Sequence, residues 1–226
     1  MNIQGLQKLT VLDFPSKVAC IVFTAGCSFR CPFCHNATLV KGEGARVDEE
    51  GILSYLKKRQ GILDGVVITG GEPTIQKDLK DFIKKVRALG YKVKLDTNGY
   101  QPDVLEDLLK EGLLDYVAMD IKNSKCKYPV TAGLQNMDFS KIERSVALLK
   151  NGTIPYEFRT TTMDELHSEE DFLEIGKLVE GAKKFFIQSF KDSGDILCGT
   201  FTPPSEAKIA QFKDILTNFV GEVGCR

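Results

Sequence analysis

The sequence predicts an α/β protein built on a parallel sheet, and three observations carry this prediction. Short runs of continuous apolar residues recur along the chain, as expected of strands buried on both faces. Segments with the spacing of amphipathic helices separate these runs. The alternation repeats six times, which favours a parallel sheet covered by helices. Six units are fewer than the eight of a complete barrel, so an open doubly wound sheet and a partial barrel both match the pattern.

The six predicted strands are short, and each runs into a polar or glycine-rich cluster. They cover residues 18–23, 66–68, 92–95, 116–119, 156–159 and 184–188. In parallel α/β folds the carboxyl ends of the strands meet at one edge of the sheet, where active sites lie. The clusters therefore predict a functional site at that edge.

Capping residues mark the helices between these strands. Asp48 is predicted to cap the first of them, and Ser168 with Asp171 has the pattern of a capping box. Pro102 is placed to begin a helix, and Gly90 is placed to end one. Each capped segment carries apolar residues at helical spacing, which predicts a helix packed on the sheet.

Composition indicates an ordinary globular protein. The chain has 226 residues, of which 42% are hydrophobic and 27% charged. No low-complexity linker interrupts it, so one domain over residues 1–226 is predicted. The net charge of −1 gives no electrostatic reason to expect nucleic acid or a membrane as partner. No apolar run is long enough to span a bilayer, and residues 1–8 lack a signal-peptide core, which predicts a cytoplasmic protein.

Seven cysteines in a cytosolic chain indicate metal or redox chemistry rather than disulfides. Cys27, Cys31 and Cys34 have the spacing C-x3-C-x2-C, and thiolates suit iron–sulphur clusters, copper(I) or zinc. Three thiolates would leave one iron of a cubane cluster open to a substrate or cofactor. A structural zinc site with His35 as fourth ligand is the alternative, although His35 adjoins Cys34. The other cysteines show no ligand spacing and are predicted to be core, loop or tail residues: Cys20, Cys126, Cys198 and Cys225.

The cysteine spacing, with Phe33 before the last thiol, resembles the cluster motif of radical S-adenosylmethionine (SAM) enzymes. Residues 23–36 resemble the glycyl-radical activating enzymes, and residues 5–10 with 13–15 are similar to activators of anaerobic ribonucleotide reductase. The resemblance implies a partial (β/α)6 barrel and a [4Fe–4S] cluster on the three cysteines. It also implies reductive cleavage of SAM to methionine and a 5′-deoxyadenosyl radical.

A Gly-Gly-Glu-Pro segment follows the second predicted strand. Its glycines allow close backbone approach, and Pro73 holds Glu72 extended. Alone, the segment would be an ordinary turn. The resemblance implies that Gly70, Gly71 and Glu72 bind the amino group of SAM.

Acidic residues follow the third and fourth predicted strands. Asp96 and Asn98 belong to an Asp-Thr-Asn-Gly segment typical of a turn. Asp120 and Lys122 alternate about Ile121, so both point to one face of an extended chain. The resemblance implies that Asp96, Asn98, Asp120 and Lys122 contact SAM, with the acidic pair helping to hold a monovalent cation. A buried Lys–Asp pair in the core is the alternative.

Further candidates lie near the last cysteine and at later strand ends. The resemblance implies that Phe33 and Asn36 lie near the adenosyl group. Arg159 either binds SAM oxygens or pairs with an acid. Gln188 stands where the activators often carry a histidine, which leaves the adenine or ribose contact there open. His167, beside two glutamates in a predicted loop, is expected to be solvated.

The resemblance thus predicts a radical SAM enzyme that takes a hydrogen atom from a glycine of anaerobic ribonucleotide reductase, with an electron donor of flavodoxin or ferredoxin type. Residues 123–135 and 191–204 are predicted as adaptable loops that contact this partner. Three alternatives stay open: activation of another glycyl-radical enzyme such as pyruvate formate-lyase, a radical SAM enzyme for a small metabolite, and a non-enzymatic metal or electron-transfer module.

Overall fold

The computed structural model describes residues 1–192 and 194–226. Contacts within the chain define two compact units. The first comprises Met1–Ser28, Thr38–Thr97 and Asp103–Val117, and the second comprises Phe29–Ala37, Asn98–Pro102 and Ala118–Arg226. The single domain over residues 1–226 stays a prediction.

The first unit contains four strands that neighbour one another in chain order. They are β1 (Ile3–Thr10), β2 (Ala19–Thr24), β3 (Gly65–Gly70) and β4 (Lys92–Thr97). The last three are parallel, whereas β1 pairs antiparallel with β2. Four helices follow β2, β3 and β4 in the chain: α1 (Ala37–Lys41), α2 (Glu49–Lys57), α3 (Leu79–Ala88) and α4 (Pro102–Lys110).

The described residues after α4 form four more strands and four more helices, and the first of these strands begins in the first unit. The strands are β5 (Tyr116–Asp120), β6 (Tyr156–Thr162), β7 (Lys184–Ser189) and β8 (Glu222–Cys225). The strands β6, β7 and β8 are parallel neighbours. Directly after β5, the N–H of Ile121 donates to the carbonyl of Arg159 in β6 at 2.7 Å. The helices are α5 (Tyr128–Ala132), α6 (Ser140–Asn151), α7 (Glu169–Leu178) and α8 (Glu206–Thr217).

The predicted α/β pattern with parallel strands is confirmed, as are its capping residues. The Asp48 carboxylate accepts the N–H of Gly51 at 3.0 Å at the start of α2. Both hydrogen bonds of the Ser168–Asp171 capping box are present at α7. These side chains bond N–H groups that a helix start leaves without intrahelical partners. Local chemistry is therefore enough to locate both helix starts.

The strands β1 and β8 are not predicted from the sequence, because main-chain hydrogen bonds rather than apolar patterning define them. In β1 only the terminal residues, Ile3 and Thr10, are buried. β8 has four residues, none of them fully buried. Each pairs with one neighbouring strand, and such pairing leaves little side-chain signal in the sequence.

The connection at residues 123–135 is folded, so the prediction of an adaptable loop is wrong there. It contains α5, in which Tyr128, Thr131 and Ala132 are buried. Gly133 ends the helix in the left-handed conformation. In the second predicted loop, residue 193 lies outside the described residues.

Two aromatic rings form the contact between α7 and α8 in the second unit. The rings of Phe172 and Phe212 are stacked with centroids 3.9 Å apart, and both side chains are fully buried. Gly176 on α7 permits close packing, because a Cβ there would lie 2.4 Å from the ring of Phe219. Packing around α7 therefore includes one stacked ring pair against α8 and one glycine that makes room for the ring of Phe219 beyond the end of α8.

We expect Phe212→Ala to lower the free energy of unfolding by about 3–5 kcal/mol, because it leaves a cavity beside Phe172. Urea unfolding of the cluster-free protein measures this loss. Leu173→Ala on α7 is the control, since Leu173 is 43% exposed and its truncation should change stability by less than about 0.5 kcal/mol. Equal losses in the two variants would contradict the packing described here.

Candidate functional site

The loops that follow the parallel strands lie at one edge of the sheet within each unit. In the first unit, Thr24 of β2 is opposite Gly70 of β3. In the second, Thr161 of β6 is opposite Gln188 of β7. Within each unit, the predicted placement of polar clusters at a common edge is therefore confirmed.

In the first unit, two main chains approach each other closely before Cys27. Gly26 has a φ of +83°, and its carbonyl accepts the N–H of Glu72 at 2.8 Å. A Cβ on Gly71 would lie only 1.9 Å from this carbonyl oxygen. Gly71 therefore allows the end of β3 to pack against the start of the cysteine loop. From the sequence alone, the same glycine is explained by the close approach of a ligand.

In the second unit, α5 supports the rest of the cysteine loop. The N–H of Arg30 donates to the carbonyl of Ala132 at 2.8 Å. A Cβ on Gly133 would lie 2.2 Å from the carbonyl oxygen of Arg30, so a larger residue would push the loop away. The carbonyl of Cys34 accepts the N–H of Leu197 at 3.0 Å. The loop is therefore held from two sides by main-chain hydrogen bonds.

All three cysteines of the motif are reduced thiols. Cys31 is buried, and Cys27 and Cys34 are half-buried. Burial raises the pKa of Cys31 to about 11, although the positive charge of Lys122 opposes this shift. Across residues 1–192 and 194–226, no group of three or more His, Cys, Asp or Glu side chains stands in metal-binding geometry. Three reduced thiols on one short loop nevertheless fit an iron–sulphur cluster by donor chemistry.

The other cysteines lie apart from this loop. Cys20 is fully buried in β2, where burial raises its pKa to about 12, so its predicted role as a core residue is confirmed. Cys126 and Cys198 are exposed. Cys225 is also exposed but belongs to β8 rather than to a tail without secondary structure.

Glu72 lies inside a hydrogen-bond network of the first unit and is 1% exposed. Its Oε1 accepts two hydrogen bonds from Thr74, one from the main-chain N–H at 3.0 Å and one from the side-chain hydroxyl at 2.5 Å. The first of these bonds caps a 3-10 turn at Pro73–Ile75. The same oxygen accepts the hydroxyl of Thr97 at 2.7 Å. The carboxylate thus joins the end of β3 to the end of β4, and its contact with SAM stays a prediction.

Asp96, at the end of β4, forms an ion pair with Lys94 on the same strand. The Lys94 side chain is only 2% exposed, and its ammonium lies 5.9 Å from the centre of the Tyr116 ring. Sequence reasoning missed Lys94. The available signal was a lysine inside a buried strand, two residues from an acid and therefore on the same face.

Asp120 binds two cations in the second unit. Its Oδ2 lies 3.0 Å from the Lys122 ammonium, and its Oδ1 lies 2.9 Å from Nε of Arg159. Burial opposes the charged carboxylate, but Arg159 and Lys122 hold the pKa of Asp120 well below its usual range. Burial likewise opposes the charged form of Lys122, yet Asp120 holds its pKa above the usual range. The prediction that Asp120 and Lys122 share a face is confirmed, and Arg159 pairs with an acid.

The main chain around this ion group is fixed by buried side chains. Each successive carbonyl accepts a hydrogen bond: Asp120 from the Tyr128 hydroxyl at 3.4 Å, Ile121 from Thr160 at 2.7 Å, and Lys122 from His167 at 2.9 Å. Buried carbonyls with partners hold one conformation, so the ion group is pre-organised.

His167 is buried, so the prediction that it is solvated is wrong. It is 2% exposed, and its Nδ1 accepts the N–H of Met163 at 3.3 Å. The bond to the carbonyl of Lys122 then requires a proton on Nε2. Burial lowers the pKa of His167, which favours this neutral form. The contact joins residues 45 positions apart, which local sequence reasoning does not detect.

The remaining predicted site residues belong to the second unit. Phe33 is buried, and its ring contacts that of Phe201 edge-on at 6.1 Å. The Asn98 side chain accepts the N–H of Tyr100 at 2.9 Å, which supports its interpretation as a turn residue. Asn36 and Gln188 are half-buried. Their predicted contacts with SAM stay predictions.

The model of the Radical SAM superfamily matches residues 21–179. This chain belongs to the radical SAM superfamily, whose members use a [4Fe–4S] cluster and SAM. It is therefore a radical SAM enzyme with these cofactors, and the predicted fold class is that of its family. Among the described residues, no helix has the length and apolarity that crossing a membrane would require.

Relatives with assigned names fall into more than one class. A Methanocaldococcus jannaschii protein, provisionally named a glycyl-radical enzyme activating enzyme, is 32% identical over 99% of this chain and 95% of its own length. A pyruvate formate-lyase-activating enzyme of Clostridium pasteurianum is 32% identical over 54% of this chain and 52% of its own. A Pyrococcus abyssi protein, provisionally named a GTP 3′,8-cyclase, is 30% identical over 66% of this chain and 49% of its own.

Solved structures with the same fold are distant in sequence. TYW1 with a lysine–pyruvate adduct has a TM-score of 0.63 at 18% identity, over 88% of this chain and 73% of its own. Streptococcus suis SuiB bound to the precursor peptide SuiA has a TM-score of 0.67 at 14% identity, over 90% of this chain and 47% of its own. These likenesses concern the fold alone.

We expect the free energy of unfolding to fall as the pH drops from about 7 to 5. The unfolded chain then protonates a histidine whose pKa is about 6.5, whereas buried His167 resists protonation. His167→Gln keeps a donor for the Lys122 carbonyl and cannot titrate, so this slope should become shallower. Urea unfolding of the cluster-free protein at several pH values measures it. Identical slopes in the parent and the variant would contradict the neutral, buried His167.

Proposed function

We propose that this radical SAM enzyme is an activase that removes a hydrogen atom from a backbone glycine of a partner glycyl-radical enzyme. One observation carries the proposal: similarity to the provisionally named activating enzyme extends over 99% of this chain and 95% of that protein. The matched GTP cyclase shares only 49% of its length with this chain, so that similarity supports the common radical SAM part.

We further propose anaerobic ribonucleotide reductase as the partner, with a flavodoxin or ferredoxin as electron donor. The resemblance of residues 5–10 and 13–15 to activators of that reductase supports this choice. The rival partner is an enzyme like pyruvate formate-lyase, which the Clostridium relative favours. A glycine substrate requires no side-chain pocket, only a main chain within about 3–3.5 Å of the reacting carbon.

The residue roles in this proposal follow from the motifs. Cys27, Cys31 and Cys34 hold the cluster, and three protein ligands leave one iron open. The proposed SAM contacts are Phe33, Asn36, Gly70, Gly71, Glu72, Asp96, Asn98, Asp120, Lys122, Arg159 and Gln188. When bound, the cluster and SAM supply the one-electron chemistry that removes the hydrogen atom.

The protein's own part is to bind and orient. Two cationic side chains, Lys122 and Arg159, contact the Asp120 carboxylate, and charge-assisted donors of this kind suit an anion such as the SAM carboxylate. The Lys122 ammonium has three N–H donors and gives one to Asp120, so the same ammonium can also bind a ligand. Because His167 and Thr160 fix the main chain, this charge needs little rearrangement when the ligand binds.

We expect Lys122→Ala to weaken SAM binding about ten- to hundred-fold, the effect of losing one charge-assisted hydrogen bond. Iron content should stay unchanged. Lys125→Ala is the matched control, because Lys125 is 66% exposed and pairs with Glu143 on the surface. Binding titrations of SAM to the reconstituted enzyme under anaerobic conditions measure the affinities. A Lys122→Ala enzyme with the control's affinity would show that this ion group lies outside the SAM site.

The substrate assignment predicts a stable organic radical on the partner. Reduced enzyme, SAM and anaerobic ribonucleotide reductase should give a doublet in electron paramagnetic resonance, lost when the partner's radical glycine becomes alanine. Cys31→Ala should abolish the cluster and the doublet, whereas Cys126→Ala should retain both because Cys126 is exposed and outside the motif.

Three other outcomes would revise the proposal. SAM cleavage without a doublet on any glycyl-radical enzyme would remove it. A doublet on a pyruvate formate-lyase-like enzyme would keep the chemistry and change the partner. Conversion of GTP with consumption of SAM would place the enzyme with the cyclases.

A further inference from the structure

The family resemblance implies a monovalent cation beside Asp96 and Asp120, and the side chains at these acids test that implication. A hard cation binds where several oxygen ligands carry unneutralised negative charge. Asp96 ends β4 in the first unit, and Asp120 ends β5 in the second. The charged groups around each acid are therefore described within its own unit. The relevant observation is which positive groups already contact each carboxylate.

In the first unit, a fixed ammonium already contacts Asp96. Lys94 lies two residues earlier on β4 and forms an ion pair with the Asp96 carboxylate. Its side chain is 2% exposed, so the charge does not project into solvent. The face of the Tyr116 ring lies 5.9 Å from the ammonium and adds a cation–π contact.

The energetics make this pair hard to separate. A buried ammonium is strongly disfavoured unless a carboxylate and further polar groups surround it. Moving the Asp96 carboxylate onto a metal ion would leave the Lys94 charge buried without its acid. Two positive charges competing for one carboxylate would also repel each other. The Lys94 ammonium therefore competes directly with a metal ion for the Asp96 carboxylate.

In the second unit, each oxygen of the Asp120 carboxylate already has a cationic partner. Lys122 contacts Oδ2 at 3.0 Å, and Arg159 contacts Oδ1 at 2.9 Å. A metal ion there would compete with both side chains for the same carboxylate. Taken one unit at a time, neither acid fits a monovalent metal site.

We propose that the Lys94 ammonium takes the place of the monovalent cation at Asp96, so that SAM binding by this enzyme does not depend on K⁺ or Na⁺. A covalently attached charge at this position cannot be lost by dilution or exchanged between ions. The inference rests on the proposed assignment of Asp96 to the SAM site and is independent of the substrate. A failure to find a glycyl-radical partner would leave the SAM affinities measured below unchanged.

The first experiment compares SAM affinity of the cluster-loaded enzyme in potassium, sodium and choline chloride at equal ionic strength. We expect the three dissociation constants to agree within about twofold, since no metal ion takes part. A dissociation constant about tenfold or more higher in choline chloride would overturn the inference.

The second experiment uses Lys94→Met, which keeps an unbranched side chain and removes the charge. The Asp96 carboxylate then lacks its ammonium, and a metal ion should take that position. We expect SAM affinity to fall about tenfold or more in choline chloride and to recover in potassium or sodium chloride. Equal affinity of this variant in all three salts would overturn the inference.

Two further variants serve as controls for an effect of misfolding on the measured affinities. Lys92→Met removes an exposed lysine of the same strand that pairs with Asp115, and it should behave like the parent enzyme in every salt. Lys94→Gln keeps a donor for Asp96 without the charge, and the same recovery by potassium or sodium is expected if the methionine variant does not fold. Salt-independent affinity in Lys94→Gln would count against the inference in the same way.

Discussion

The ion pairs of the Asp120 carboxylate with Lys122 and Arg159 are the interactions on which the surrounding structure of the second unit depends. Three charges at the edge of the core are stable only with opposite charges and polar partners in contact. The surrounding elements supply those partners. The strand β6 contributes Arg159 and Thr160, and α5 contributes Tyr128. Removing one partner would leave a charge poorly compensated, which costs more than the pair itself contributes.

The same support extends to the cysteine loop. Ala132 and Gly133, at the end of α5, hold the main chain of Arg30 through a hydrogen bond and close packing. Burial raises the pKa of Cys31, and the Lys122 ammonium opposes that shift. Helix α5 thus serves the ion group and the loop together, which explains why residues 123–135 are folded rather than adaptable.

In the first unit, the residues of the glycine-rich motif hold the main chain of their own turn in place. Binding of a small ligand by this motif would require such a fixed main chain. Gly70 has a φ of +123°, and a Cβ there would lie 2.3 Å from the main chain of Thr24. Gly71 packs equally closely on Gly26, and Glu72 ties the turn to Thr97. These contacts fix the ends of β2, β3 and β4 against one another. A short motif can position a small ligand only if its own main chain is held in this way.

Sequence patterning predicts the elements whose side chains carry the signal. Apolar runs locate β2 to β7, and capping side chains locate the starts of α2 and α7, because these effects act within a few residues. The polar strand ends are predicted for the same reason.

Long-range contacts account for what sequence patterning missed. His167 is buried because of a carbonyl 45 residues away, and β1 and β8 exist through main-chain pairing. The ion pair of Lys94 with Asp96 is local, but its contact with the ring of Tyr116 on another strand is not. Such partners come together only when the chain folds.

The central claim is that a thiolate-held cluster and SAM act, in this enzyme, on the main chain of another protein. Isotope transfer tests it most directly. The partner is prepared with glycine deuterated at the α-carbon, and the 5′-deoxyadenosine formed in the anaerobic reaction is analysed by mass spectrometry. We predict that deuterium appears in the 5′-deoxyadenosine and that none appears when the radical glycine of the partner is replaced by alanine. SAM cleavage that yields only unlabelled 5′-deoxyadenosine beside the labelled partner would contradict the account.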